Sequence, residues 1–215
     1  MITILVTGGA GFIGSHTCLL LLEYGYRLII IDSLINSYRQ TVINIINLAN
    51  KKKLDSQNIN FVNIDINNKD ALNNLFIQEK NKGHSIYAVF HFAGLKSVSE
   101  SFNNAYDYWK VNVFGTFNIV EVMLKHNCYN LIFSSSASVY NPHKKDKFNE
   151  LDETKPTSPY GKTKLTIEEF LKDIFYSYPN KLRIACLRYF NPVGAHNSNL
   201  IGEMPKVNKN NLFPN

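Results

Sequence analysis

The chain opens on a short apolar run, ITILVT, that passes directly into GGAGFIGS, and this junction restricts the fold more than any other stretch. Gly8, Gly11 and Gly14 fall at three-residue intervals on a strand-to-helix turn. Glycine there permits a tight turn, brings the backbone against a pyrophosphate, and lets a helix N-terminus face its negative charge. A glycine pattern alone says little, since any tight turn can be glycine-rich. Here an acidic residue, Asp32, follows 18 residues after Gly14, at the end of the second apolar run. A carboxylate at that place accepts hydrogen bonds from the ribose diol of NAD and repels the extra phosphate of NADP. Turn and aspartate together predict binding of NAD; the bland alternative is a glycine turn beside a surface aspartate.

The rest of the chain keeps the same rhythm. Short apolar runs (RLIIID, INFVNID, IYAVFHFAG, LIFSSS, LRIACLRYFN) alternate with amphipathic stretches over 12–24, 38–53, 68–80, 105–126 and 158–176. Runs that are apolar on both faces suit parallel strands covered by helices. The expected fold class is α/β, an open, doubly wound sheet of about six or seven parallel strands. Residues 141–157, NPHKKDKFNELDETKPT, read as a charged surface loop, and 192–215 are rich in Asn, Gly and Pro without periodicity. The expected division is therefore a dinucleotide-binding domain over 1–191 and the beginning of a second, substrate-binding segment over 192–215.

At 215 residues, 45% hydrophobic and 19% charged, the chain can bury one full core. The net charge of +6 comes from 19 Lys and 4 Arg against 17 acidic residues. The lysines are scattered, with no basic face interleaved with aromatics, so nucleic acid is excluded as a partner. Cys18, Cys128 and Cys186 lie in apolar segments without a Cys-x-x-Cys or a nearby His, and read as buried thiols in a reducing compartment. No His, Cys and Asp spacing suggests a metal, and His91 reads as a core residue of the fourth strand. No secretory leader and no apolar stretch of membrane-spanning length is visible, so the expected location is the cytoplasm.

The stretch SPYGKTK, from Ser158 to Lys164, carries a tyrosine and a lysine four apart, which on a helix share one face. Tyr106/Lys110 and Tyr140/Lys144 repeat the pattern. Spacing cannot choose among the three. Ser158 and Pro159 make a good N-cap and first helical position for the Tyr160/Lys164 pair, whereas Tyr140/Lys144 spans Pro142 in a loop.

The Gly-x-x-Gly-x-x-Gly spacing resembles the short-chain dehydrogenase/reductase superfamily, in the extended branch that acts on nucleotide sugars. That branch carries a serine at the end of strand five and a Tyr-x-x-x-Lys one helix later. Only Tyr160/Lys164 has this address, with Tyr160 lying 24 residues after Ser136 of FSSSASVY. The strings DSLINS, FHFAGLKSVSES, SSSASVY, RYFNPVGAH and NNL, in that order, are similar to the UDP-glucose 4-epimerases. No acid follows Ser136, which argues against the elimination chemistry of the related dehydratases. Asn141 stands where the family commonly has glycine, and the following loop is one residue shorter; neither departure touches the chemistry.

The resemblance implies a site. Gly8, Gly11, Phe12, Ile13 and Gly14 would border the pyrophosphate; Asp32, Ser33, Leu34, Ile35, Asn36 and Ser37 the adenosine; Asp65 and Ile66 the adenine. Phe92, Ala93, Gly94, Leu95 and Lys96 would run beneath the cofactor, with Asn112 near its nicotinamide half and Phe190 beside the ring. Ser136, Tyr160 and Lys164 would be catalytic, Tyr160 and Lys164 also touching the cofactor. Lys96, Ser136, Tyr160, Asn191, Asn211 and Leu212 would meet a UDP-hexose. Tyr160 would deprotonate the hexose 4-hydroxyl, with Lys164 and the positive nicotinamide ring favouring the phenolate. NAD would be regenerated each turn and stay tightly bound. The family further implies a possible homodimer through the helices over 105–126 and 158–176. It also implies a polypeptide that continues past NNLFPN, so the expected chain is an N-terminal portion. Open alternatives are a truncated, non-catalytic NAD-binding remnant and another epimerase or dehydratase of the same superfamily.

Overall fold

The computed structural model describes residues 1–142, 147–204 and 206. Among the described residues six strands, β1 (Thr3–Thr7), β2 (Arg27–Asp32), β3 (Ile59–Asn63), β4 (Ile86–His91), β5 (Asn130–Ser136) and β6 (Arg183–Tyr189), form one sheet in the order β3-β2-β1-β4-β5-β6. Every pairing is parallel. The order reverses beside β1: the chain steps outward through β2 and β3, then returns to place β4 on the other side of β1. Crossover connections diverge there, and a crevice opens beyond the carboxyl ends of β1 and β4.

Alternate strand residues feed two cores. Leu5, Ile29, Ile31, Val89, Leu131 and Phe133 pack on one face with α3 (Lys69–Asn81), α6 (Gly115–Lys125) and α7 (Pro159–Ser177). Ile4, Val6, Leu28 and Ile30 pack on the other with α1 (Phe12–Glu23) and α2 (Arg39–Lys51). The strands are thus buried on both sides, as their unbroken apolar runs predict. At α7, the Ser158 side chain accepts from the Gly161 N–H at 3.0 Å and Pro159 occupies the first turn, as the Ser-Pro pair predicts.

One expectation is refined and one needs correction. The helix expected over 105–126 is preceded by a short α4 (Val98–Asn103) and is itself α5 (Ala105–Tyr108) joined to α6 through a π-helical turn, Trp109–Phe114. The widened turn sits beside the crevice, where such insertions commonly serve function. Cys18 and Cys128 are buried as expected, but Cys186 is exposed. It lies on β6, the last strand of the sheet, whose residues are largely solvent-facing. An apolar run signals a strand; it does not reveal whether that strand is central or at an edge.

The glycine turn shows why its residues cannot be larger. Gly8 has φ +67°, a left-handed conformation costly to other residues, and a Cβ there would lie 2.6 Å from the Ala93 nitrogen. A Cβ on Gly14 would lie 2.3 Å from the Gly8 carbonyl oxygen, an atom that backbone geometry holds in place. Gly14→Ala is therefore expected to destabilise the chain by about 2 kcal/mol, the usual cost of forcing a close-packed contact apart. Urea unfolding reads this directly, and an unchanged midpoint would show that the turn relaxes freely.

Candidate active site

The crevice is a cleft of about 980 Å³. The glycine turn and the start of α1 line it, with Asp32, Ser33, Ile35, Asn36, Ser37, Asp65 and Ile66 at one end. Phe92, Ala93, Gly94, Leu95 and Lys96 form its floor, and Ser136, Tyr160, Lys164, Phe190 and Asn191 lie at the other end. Residues drawn from β2, β5, α1, α7 and the segments that follow β1, β4 and β6 thus meet in one cavity.

The α1 end carries no acidic residue in its first turn and no side-chain cap, so its N–H groups and dipole face the cleft unneutralised. Asp32 is 8% exposed. Its carboxylate accepts from the Ala10 N–H at 3.1 Å, the Leu34 N–H at 2.9 Å and the Ser37 hydroxyl at 2.7 Å. Three of about four acceptor positions are filled, which leaves capacity for a further donor. These bonds hold Leu34 in a left-handed conformation, φ +58°. Leu34 does not line the cleft; it packs against the core beside α2. An anion-receiving helix end beside a turn with no side chains, followed by a carboxylate with spare acceptor capacity, fits the pyrophosphate and ribose of a dinucleotide.

Asn112 also lies outside the cleft wall. It is 1% exposed and acts as a clamp: Oδ1 accepts from the Leu95 N–H at 2.8 Å, and Nδ2 donates to the Leu95 carbonyl at 3.0 Å. Behind it runs a buried chain of hydrogen bonds. The Ala93 N–H donates to Thr7 Oγ1 at 3.2 Å, and Thr7 Oγ1 lies 2.6 Å from His91 Nδ1. His91 Nε2 lies 2.9 Å from Thr116 Oγ1, which donates to the Asn112 carbonyl at 2.5 Å. With Thr116 committed as donor, His91 Nε2 carries the proton and Nδ1 accepts from Thr7. Burial, and secondarily the charge of Lys164, hold His91 neutral with its pKa down at about 3. His91 is thus the core residue the sequence suggests, and its bonds tie the cleft floor to β1 and the π turn.

At the end that holds Ser136, Tyr160 is 8% and Lys164 5% exposed. Lys164 Nζ donates to the Ser134 carbonyl at 2.8 Å and lies 4.9 Å from the Phe133 ring centroid and 5.8 Å from that of Tyr160. Desolvation pushes its pKa down to about 8, against the opposing pull of Glu168. Burial likewise raises the Tyr160 phenol above its usual value, partly offset by a hydrogen bond with Ser136. The protein's own groups therefore leave the phenol neutral near pH 7, so Lys164 alone does not produce the phenolate.

Several residues of this end escape sequence reasoning. Ser138 stands 3.1 Å from Ser136 Oγ through both its hydroxyl and its N–H. Tyr108 packs edge-on to Tyr160, with centroids 6.3 Å apart, while its hydroxyl donates to the Ser97 carbonyl at 2.7 Å. Glu203 forms an ion pair with Lys96, the floor lysine. Of the other Tyr-x-x-x-Lys pairs, Tyr106 and Lys110 lie exposed on the helix surface. Tyr140 is buried against Phe148, their ring centroids 4.8 Å apart, while Lys144 lies outside the described residues. Asn211 and Leu212 also lie outside the described residues. Among the described residues no His, Cys, Asp and Glu cluster could hold a metal ion, and no helix is long and apolar enough to cross a membrane.

The family model described as "NAD dependent epimerase/dehydratase family" matches residues 4–210. The chain belongs to that family. Among relatives of this epimerase/dehydratase chain, the bifunctional UDP-glucose 4-epimerase and UDP-xylose 4-epimerase 1 of Pisum sativum is 46% identical over 211 residues, covering 98% of this chain and 58% of the relative. The UDP-glucose 4-epimerase of Mus musculus is 45% identical, covering 98% and 59%. A solved UDP-glucose 4-epimerase from Bifidobacterium longum, in complex with NAD+ and UDP, superposes with a TM-score of 0.87 at 39% identity, covering 95% of this chain and 58% of that one. The epimerase/dehydratase chain thus spans about three-fifths of the length of the curated relatives it matches.

A pH prediction follows from His91. A histidine held neutral contributes stability that is fully present above the ordinary histidine pKa and is lost as pH falls from about 6.5 towards the folded value. Between about pH 7.5 and 5 the wild-type chain is expected to lose about 2 kcal/mol through this group. His91→Gln is expected to lose correspondingly less across the same interval of urea midpoints. Equal losses in the two chains would show that His91 is not held neutral.

Proposed function

We propose that the protein carrying this chain interconverts UDP-galactose and UDP-glucose by transient oxidation at the hexose 4-position, with NAD as its tightly held cofactor. The observation that carries this reading is the buried meeting of Ser136, Tyr160 and Lys164 at one end of the same cleft whose other end holds the glycine turn and Asp32. The UDP-glucose 4-epimerases among its relatives support the substrate class.

NAD, when bound, supplies a hydride acceptor and donor. Its pyrophosphate would be held by Gly8, Gly11, Phe12, Ile13 and Gly14, its adenosine by Asp32–Ser37 with Asp65 and Ile66, and its nicotinamide half by the floor and Phe190. All other work falls to this chain's residues. Tyr160 takes the proton from the 4-hydroxyl and returns it when the hydroxyl is re-formed. Lys164 and the positive nicotinamide ring together stabilise the phenolate that burial disfavours, and Ser136 holds the reacting oxygen by hydrogen bond. Asn191, with Asn211 and Leu212, would grip the diphosphate or sugar while the ring turns over. Residues from 192 onward would begin the substrate-binding segment, leaving 1–191 as the dinucleotide-binding domain. A homodimer would pair the helices over 105–126 and 158–176, where Phe114 is 58% exposed and the Phe117 and Phe170 rings pack at a tilt with centroids 4.3 Å apart.

Conversion of UDP-galactose to UDP-glucose by the purified chain, compared with Tyr160→Phe, tests the reading. Removing the general base is expected to lower the rate by at least about 100-fold. Turnover that survives Tyr160→Phe would overturn the assignment. Bound dinucleotide with no turnover in either chain would favour a binding role without catalysis.

A further inference from the structure

Three serines in a row end β5, and the catalytic reading uses the first through its carbonyl and the third through its hydroxyl. The middle one, Ser135, points elsewhere: its hydroxyl donates to Glu168, which lies one helical turn beyond Lys164 on α7. Glu168 also receives a forked pair of bonds from Arg188 on β6, Nη2 to Oε2 at 2.7 Å and Nε to Oε1 at 3.0 Å. Its side chain is 11% exposed and that of Arg188 20%. Arg188 in turn lies 4.8 Å from the Tyr140 ring centroid and donates to the Glu150 carbonyl at 3.2 Å. Glu168 is therefore the hub through which α7, the end of β5, β6 and the loop after Tyr140 are joined.

We propose that Glu168 is a positioning residue for Lys164: its carboxylate locks the serine end of β5 onto α7 and supplies the anion that keeps the buried ammonium charged. The placement follows helix geometry, since Tyr160, Lys164 and Glu168 recur at intervals of four and share one face. Ser135 is bonded to Glu168 while its neighbour Ser134 accepts from Lys164, so the carboxylate fixes the strand from which Lys164 takes its own hydrogen bond. The groups facing Lys164 are few. Tyr160 on its own helix and His91 on β4 are both neutral near pH 7, and Arg188 lies beyond Glu168. Glu168 is thus the anion that opposes the desolvation of the ammonium, and the pKa of about 8 reflects that balance. An uncharged Lys164 cannot stabilise a phenolate, so the carboxylate widens the pH range over which Tyr160 can serve as base. This inference rests on the catalytic reading of Tyr160 and Lys164, but its test needs neither substrate nor cofactor.

The protein is labelled with lysine carrying ¹³C at the ε-carbon and titrated by NMR; the Lys164 resonance is assigned by its loss in Lys164→Met. In the wild type it is expected to titrate near 8, well below an ordinary lysine. Glu168→Gln is expected to move the midpoint down by about one pH unit, a tenfold change in the proton equilibrium. Glu168→Asp keeps the charge and should hold it close to wild type. Glu168→Gln combined with Arg188→Met leaves no unpaired buried charge and should shift the midpoint in the same direction as Glu168→Gln, which guards against misfolding of the single variant. Midpoints that coincide in wild type and Glu168→Gln, or that fall equally in Glu168→Gln and Glu168→Asp, would overturn the proposal. Failure of the catalytic reading would instead show as turnover surviving Tyr160→Phe, whatever the Lys164 midpoint.

Discussion

The parallel pairing of β1 with β4 is the constraint on which the rest of the molecule depends. Thr7 and His91 stand in register at the carboxyl ends of these two strands, and beyond them the chain diverges, one strand into the glycine turn and the other into the cleft floor. The Thr7–His91 hydrogen bond and the Phe92 N–H to Thr7 carbonyl bond, 3.0 Å, carry the pairing to its last residue. The two backbones then approach so closely that Gly8 has no room for a side chain. A ligand laid across this gap meets main-chain donors and a helix end instead of side-chain bulk.

The far end of the cleft is organised by the cost of burying charge. A lysine at 5% exposure has few reasons to remain an ammonium. Here it is met by a backbone carbonyl, two aromatic rings and, one turn further along α7, a carboxylate. The same desolvation keeps His91 and Tyr160 neutral, so the positive charge nearest the phenol ring is that of Lys164. On the proposed catalytic reading, a positive ring bound in the cleft would supply the further field that the phenolate needs.

What could be read from the sequence was what local sterics and helical spacing determine. Gly8, Gly14 and Asp32 declare themselves because a tight turn and a following acid leave few alternatives, and Tyr160 with Lys164 because four-residue spacing behind Ser158 and Pro159 fixes a shared face. Resemblance then selected this pair among three. The residues that escaped depend on elements distant in sequence. For Asn112 the resemblance implies a place near the nicotinamide half; that its amide clamps Leu95 is visible only once the π turn is known. Glu168 reads as one more helix-surface acid until β6 brings Arg188 against it. Cys186 looks buried by its neighbours and is exposed because β6 ends the sheet.

The central claim is that the crevice between β1 and β4 is a dinucleotide site whose carboxylate at Asp32 selects NAD. Calorimetric titration of the purified chain with NAD and with NADP, repeated on Asp32→Ala, tests it most directly. The account predicts that NAD binds more tightly than NADP and that the substitution removes most of that preference by deleting both the ribose acceptor and the charge that repels the 2′-phosphate. Equal affinities in the unsubstituted chain, or a preference that Asp32→Ala leaves intact, would contradict it.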